Sequence, residues 1–96
     1  MRVIGQSDIR RAVSMHMAID AAREAFVSLS TGQAEAPPRA HLATVGGTML
    51  VMPGYARPAN AAGLKLVSVN PGNAVRGLPT VQATVLLVSA HDGTPL

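Results

Sequence analysis

The reading of this chain turns on Gly63-Leu64-Lys65-Leu66-Val67-Ser68-Val69-Asn70, followed by Pro71-Gly72-Asn73. A short apolar run closed by Pro and Gly reads as a strand ended by a turn. Lys65 is the only lysine in the chain; every other strong cation is an arginine. Lysine is among the residues least often buried. An ammonium among aliphatic neighbours must snorkel, pair with an anion, or serve a site. With a period of two, Lys65 shares a face with Val67 and Val69, opposite Leu64, Leu66 and Ser68. Two readings stand side by side. In one, Lys65 is an edge-strand lysine that deters aggregation. In the other, it is a cation aimed into a pocket to hold an anionic substrate.

Upstream, Arg2–Ile4 reads as a short opening strand. Ser7 offers an N-cap, and Asp8 suits the first turn of a short helix to Val13. Met15, Ala18, Ile19, Ala22, Phe26 and Leu29 recur at three- and four-residue steps, which predicts a helix from Met15 to Ser30. Gly32 stands at its C-terminal cap. This helix is expected to pack on the sheet through Ile19, Ala22, Phe26 and Leu29, so that Phe26→Ala would cost about 3–5 kcal/mol.

Pro37-Pro38 bars helix continuation and starts an extended stretch. Arg39–Val45 alternates, with Ala40, Leu42 and Thr44 on one side. Gly46-Gly47 reads as a hairpin turn, and Thr48–Met52 as its partner strand, ended by Pro53-Gly54. A loop runs from Arg57 to Ala62. After the Lys65 strand comes a Gly/Pro/Asn loop from Pro71 to Pro79. Val81–Ala90 is a further strand, apolar on both faces, and is expected to be central. Asp92-Gly93 then introduces a returning strand, of which only Leu96 follows. On this pattern the sequence is expected to be the front part of a longer protein, with residues 1–96 forming an N-terminal domain.

At 96 residues the core is small. Hydrophobic residues at 48% and charged residues at 14% exclude a disordered tail. Phe26 and Tyr55 are the only aromatics, so the core must be aliphatic. The absence of cysteine excludes a disulfide framework and fits a cytoplasmic protein. No signal core or membrane-length apolar run is present, so no membrane partner is expected. The net charge is +3, but the arginines are scattered and stacking aromatics are missing, so nucleic-acid binding is not expected.

Gly72–Gly77 has the glycine spacing of a phosphate loop, yet Leu78-Pro79 replaces the required Lys-Ser/Thr. No G-x-G-x-x-G occurs. His16, His41 and His91 share no metal-ligand spacing, so no metal is expected. His41 falls on the same side of its strand as Arg39 and reads as a surface or pocket residue. No nucleophile–base pair or carboxylate dyad is visible. Arg39, placed after two prolines, is a second cation open to either a structural or a ligand-holding reading.

The motif Gly63–Val69 with Pro71-Gly72-Asn73, and then Gly77-Leu78-Pro79-Thr80-Val81-Gln82-Ala83, resembles the ornithine cyclodeaminase/mu-crystallin family. The helix Met17–Phe26, Pro38-Arg39, Met52-Pro53 and Asp92–Leu96 are similar to it in order and spacing. The resemblance implies an α+β fold in which a mixed β-sheet packs against helices. It implies an N-terminal substrate-binding and dimerisation domain, here without the Rossmann domain that binds NAD or NADP. It further implies a homodimer acting on a small amino or imino acid by cyclodeamination, ketimine reduction or amino-acid dehydrogenation. Arg39 and Lys65 match the positions that hold the substrate carboxylate, and Thr80 a position near the nicotinamide. Asn70 stands where many members have phenylalanine. The family's acidic catalytic residue and glycine-rich loop fall outside the chain, so these 96 residues alone are expected to be inactive. The rival readings are a non-catalytic binding or dimerisation module and a ligand-sequestering member of the family.

Overall fold

The computed structural model describes all 96 residues. Two helices lead into a five-stranded sheet: α1 (Gln6–Ala12), α2 (Met15–Ser30), β1 (Ala34–Glu35), β2 (Ala40–Thr44), β3 (Gly47–Ala56), β4 (Ala61–Val69) and β5 (Val81–Ser89). A short 3₁₀ helix, Pro71–Arg76, lies between β4 and β5. The sheet runs β1-β3-β4-β5, and β2 lies end to end with β1 along the same edge of β3. The class is α+β, as the resemblance implied. Where mixed pairing was expected, all four ladders are antiparallel.

Helix α2 has the predicted bounds. The Ser14 hydroxyl accepts the Met17 N–H at 3.2 Å and caps its start. At its end Gly32 takes φ +76°, and the Gln33 N–H reaches the Ser28 carbonyl at 2.7 Å while Gly32 N–H meets Leu29 at 3.4 Å. This paired closure satisfies carbonyls that the helix leaves orphaned, and glycine adopts the required left-handed turn at least cost. Helix α1 differs from expectation at its start. Gly5, not Ser7, is the N-cap, and the Asp8 carboxylate reaches back to the Gly5 N–H at 2.8 Å. Arg2–Ile4 forms no strand; the Arg2 N–H instead donates to the Leu96 carbonyl at 2.6 Å.

Three strand expectations are corrected. The β2–β3 turn centres on Val45-Gly46, since Thr44 already pairs with Gly47. Gly47 is required by close approach: a Cβ there would collide with the Val69 carbonyl oxygen. Next, Pro53-Gly54 does not end β3, which continues to Ala56. Along the outer edge of β3, β2 pairs only as far as Val51 and β1 begins at Tyr55. Pro53 falls in the gap, where its missing N–H breaks no ladder bond on that edge. Finally, β5 is not central; it forms the far edge of the sheet, with Val85 61% exposed. The expected return after Asp92-Gly93 does begin, as Pro95 bridges Val88 and the Leu96 N–H meets Leu87 at 2.9 Å.

The loop between β4 and β5 is pinned by one residue. Asn73 is buried, donates to the Pro79 carbonyl at 2.9 Å, and accepts from Arg76 at 3.0 Å. Its backbone carbonyl also takes the Leu78 N–H at 3.0 Å, while Asn70 N–H reaches the Thr80 carbonyl at 2.8 Å.

The apolar stripe of α2 faces the sheet without closing on it. The helix touches the sheet chiefly along β1, and an open cleft remains between them. Phe26, expected in the core, is 70% exposed. Only Val67 and Asn73 are buried among the 96 residues. The radius of gyration is 15.3 Å, whereas ordinary packing at this length gives about 12.5 Å. The apolar faces that the sequence provides are formed but largely uncovered.

Three outcomes follow from this packing. Phe26→Ala in the isolated chain is expected to cost less than the roughly 3–5 kcal/mol of a buried phenylalanine, as urea unfolding will show. Asn73→Leu strands the Pro79 carbonyl and Arg76 and is expected to cost about 1–3 kcal/mol in the same measurement. The Gly5 N–H and Arg11 guanidinium hold the Asp8 carboxyl below its ordinary 3.8. A depressed value means that Asp8 stabilises α1 fully above the ordinary value and progressively less as pH falls through its own lower one. Carboxyl NMR titration should therefore show a midpoint below 3.8, and Asp8→Asn should remove that acid limb from helix melting.

Candidate functional site

Lys65 lies in the middle of β4, a strand paired on both sides: Lys65 faces Met52 on β3 and Val85 on β5. The edge-strand explanation for this lysine is thereby excluded. Residues directly opposite in a ladder share a face, so the register sorts every strand residue. One face carries Leu50, Met52 and Gly54 of β3, then Gly63, Lys65 and Val67 of β4, then Ala83, Val85 and Leu87 of β5.

Strand β2 extends this arrangement. Ala40 pairs with Val51 and His41 with Leu50. Carried back one residue, the register sets Arg39 across from Met52, on the Lys65 face. The order along this row is Arg39, Met52, Lys65, Val85. Two interstrand steps separate the cations, roughly 10 Å between their backbones. Both side chains are long enough to converge on a group lying over Met52. His41 shares the face one row beyond Arg39, opposite Leu50; it is exposed and does not line the cleft.

The electrostatics of the row are unbalanced. Neither Arg39 nor Lys65 makes a side-chain hydrogen bond or an ion pair. The ion pairs of the chain, Arg11–Asp8, His16–Asp20 and Arg23–Asp20, all lie on the two helices. No acidic residue occupies the Lys65 face of any strand. Glu35 borders the cleft, but it pairs with Tyr55, and this places it on the opposite face. Two cations with no anion between them, with Met52 and Val85 beside Lys65, form a complement to a small anion.

The cleft between α2 and the sheet has a volume of about 680 Å³. Lys65, Met52, Val85, Leu87, Gly54 and Gly63 contribute from the sheet, and Ala22, Ala25, Phe26 and Leu29 from α2. Met52, Gly54 and Gly63 line the cleft beside Lys65 and were not singled out from the sequence. The alternation of β3 contained the signal, but it is visible only if β3 is carried through Pro53.

Thr80 stands apart from this row. It precedes β5, five residues from the Val85 partner of Lys65, about 16 Å along the strand. It is half-buried, its carbonyl is used by Asn70, and its hydroxyl makes no hydrogen bond. The three histidines lie in α2, in β2 and after β5, and no group of side chains is suited to hold a metal. The Gly72–Gly77 segment forms the 3₁₀ helix that Asn73 and Arg76 fasten, not an open phosphate cradle.

The fold is thus an α+β module with one open, cation-bearing sheet face. The ornithine cyclodeaminase/mu-crystallin family model matches residues 2–96, and the chain belongs to that family. It is 37% identical over 94 residues to an alanine dehydrogenase of Archaeoglobus fulgidus, covering 98% of this chain and 29% of that protein. Among solved structures, it matches the Δ1-pyrroline-2-carboxylate reductase of Thermococcus litoralis in complex with NADH and L-proline. The TM-score there is 0.90 at 35% identity, over 95% of this chain and 29% of that one. An archaeal alanine dehydrogenase dimer with bound NAD matches at TM-score 0.88 and 38% identity, over 95% and 28%. The chain spans less than a third of the length of these relatives. No helix is long and apolar enough to cross a membrane.

Because Lys65 is unpaired and flanked by Met52 and Val85, Lys65→Met is expected to leave stability within about 0.5 kcal/mol or to raise it. A loss of about 2 kcal/mol or more in urea unfolding would instead mark a structural partner for the ammonium.

Proposed function

We propose that this chain is the substrate-binding and dimerisation part of an NAD(P)-dependent enzyme that acts on small amino or imino acids. The observation that carries this reading is Lys65, an unpaired cation on a central strand, set between Met52 and Val85 on the face that lines the cleft; Arg39, one residue before β2 and outside the cleft lining, comes to the same face when the β2 register is extended by one residue. It is supported by membership of the family and by relatives whose names include alanine dehydrogenase and pyrroline-2-carboxylate reductase.

In this reading Arg39 and Lys65 grip the substrate carboxylate from two sides. Arginine does so with a planar fork and lysine with a point charge, which together fix position and rotation. A carboxylate held at both ends presents the neighbouring carbon, the one that bears nitrogen, in a fixed direction. Fixing that direction is what the protein must contribute to hydride transfer. NAD(P), when bound, supplies the hydride acceptor or donor. The residues present do not form a pyrophosphate site, since the chain has no G-x-G-x-x-G and its one glycine-spaced loop is folded shut. The resemblance sets Thr80 near the nicotinamide; at about 16 Å along β5 from the Lys65 row it is assigned to the cofactor side of the site and not to contact with the reacting carbon. The dinucleotide is assigned to the remainder of the protein, and the uncovered apolar faces to that remainder and a second subunit.

The test is steady-state kinetics of the full-length protein with Lys65→Met and Arg39→Met. Loss of one charged partner costs about 2–5 kcal/mol, or roughly 30- to several-thousand-fold in kcat/KM. Affinity for NAD(P) should be unchanged in both variants. Near-normal kcat/KM in Lys65→Met would remove the lysine from the site. The 96-residue chain alone should bind NAD(P) no better than millimolar, by calorimetry.

A further inference from the structure

The proposed site fixes where the substrate carboxylate lies and leaves the substrate nitrogen unassigned. Resting on that reading, we infer that His41 is a further substrate contact. Its neutral imidazole accepts a hydrogen bond from the ammonium or iminium nitrogen of a substrate whose carboxylate is held at Lys65.

The register places this residue. His41 pairs with Leu50, Leu50 with Val67 and Val67 with Ala83. These four form the row next to Met52, Lys65 and Val85 on the same face, and His41 is its only polar side chain. Rows on one face lie about 6.6 Å apart and adjoining strands about 4.8 Å. A ligand with its carboxylate over Met52 and its nitrogen directed toward Leu50 therefore passes beside His41. Arginine and lysine only donate hydrogen bonds, which suits a carboxylate, whereas a neutral imidazole also carries an acceptor. His41 is exposed, and the one ion pair made by a histidine is His16–Asp20, so its ring has no carboxylate partner.

Two observations set the direction of the ligand. At the other end of the face, Ala22, Phe26 and Leu29 of α2 stand with Gly54, Gly63 and Leu87 around the cleft. An ammonium loses hydration among such groups. Thr80, assigned to the cofactor side, precedes Val81, which pairs with Val69 one row beyond that of His41. A carbon that exchanges hydride with a cofactor on that side faces the His41 row, and the nitrogen is bonded to that carbon. The charged groups that face His41 are Arg39, one row back beside β2, and Lys65, two strands away. Strand β3, the element packed against β2, carries no charged residue.

The experiment is calorimetry on the full-length protein with NADH or NADPH present, so that amino acids bind without being oxidised. The probes are L-alanine and L-proline beside their nitrogen-free counterparts, propionate and cyclopentanecarboxylate. His41→Ala should weaken each amino acid relative to its counterpart by roughly ten- to a hundredfold, the scale of one hydrogen bond to a charged group. His41→Gln, which keeps an acceptor, should restore part of the difference. In the wild type the same difference should shrink as pH falls through the range in which imidazole takes up a proton, because imidazolium cannot accept and repels the ammonium. In His41→Gln it should not. Retained affinity for propionate shows that the variant is folded. A difference unmoved by His41→Ala, or amino acids and counterparts weakened together, overturns the contact. If Lys65→Met still weakens all four probes, the carboxylate site survives that outcome. If Lys65→Met weakens none, or no probe binds with either nucleotide, the carboxylate reading fails and this inference with it.

Discussion

The antiparallel pairing of β3 with β4, from Thr48↔Val69 to Ala56↔Ala61, is the constraint on which the rest depends. Side chains alternate with a period of two, so a one-residue slip would send Lys65 and Met52 to opposite faces. Two features hold the register from its ends. Gly47 lies so close to the Val69 carbonyl that no other residue fits. At the opposite end Asn60, with φ 49°, closes the turn into Ala61, and its carbonyl takes the Ala90 N–H at 3.0 Å. The β2 and β5 ladders then inherit their parity from this pair, and the cation row is its result.

Much of the architecture was legible, element by element. Helix α2 declared both ends, because a 3.6-residue apolar period and a glycine stop are local signals. The Lys65 strand and the Asp92-Gly93 turn were legible for the same reason; the Asp92 carboxylate accepts the Thr94 N–H at 3.0 Å, as a turn aspartate does. What failed depended on neighbours. Pro53 reads as a strand end unless one knows that β1 and β2 leave a gap beside it. The apolar faces of β5 read as burial between strands, yet sheet order is set by which connections are short. Arg2–Ile4 looks like a strand, but it joins no ladder, and its Arg2 N–H goes to the Leu96 carbonyl instead. Ser7 looks like a cap, but Asp8 reaches Gly5 and starts the helix earlier.

The site was half legible. Lys65 stood out by composition and Arg39 by its prolines, and both fall on one face. Setting them in one row, with Met52 between, takes the register across three strands and its extension by one residue beyond β2. The expectation for Phe26 shows the complementary limit. Periodicity tells which side of a helix is apolar, and it is silent on whether anything closes over that side. Here α2 leans on β1 and leaves the Lys65 face reachable, so one geometry accounts for both the exposed phenylalanine and the open cleft.

The sheet from β2 to β5 is a meander in which each strand pairs with its successor. Its ladders therefore close over short stretches of chain, and such local contacts form quickly. The longest connection among them, between β4 and β5, is shortened in effect by the Asn73 clasp, which ties Asn70 to Thr80 before the strands must meet. The meander is thus suited to assemble early, as soon as these residues leave the ribosome. Its two apolar faces then stand in water the sooner for its own speed of folding.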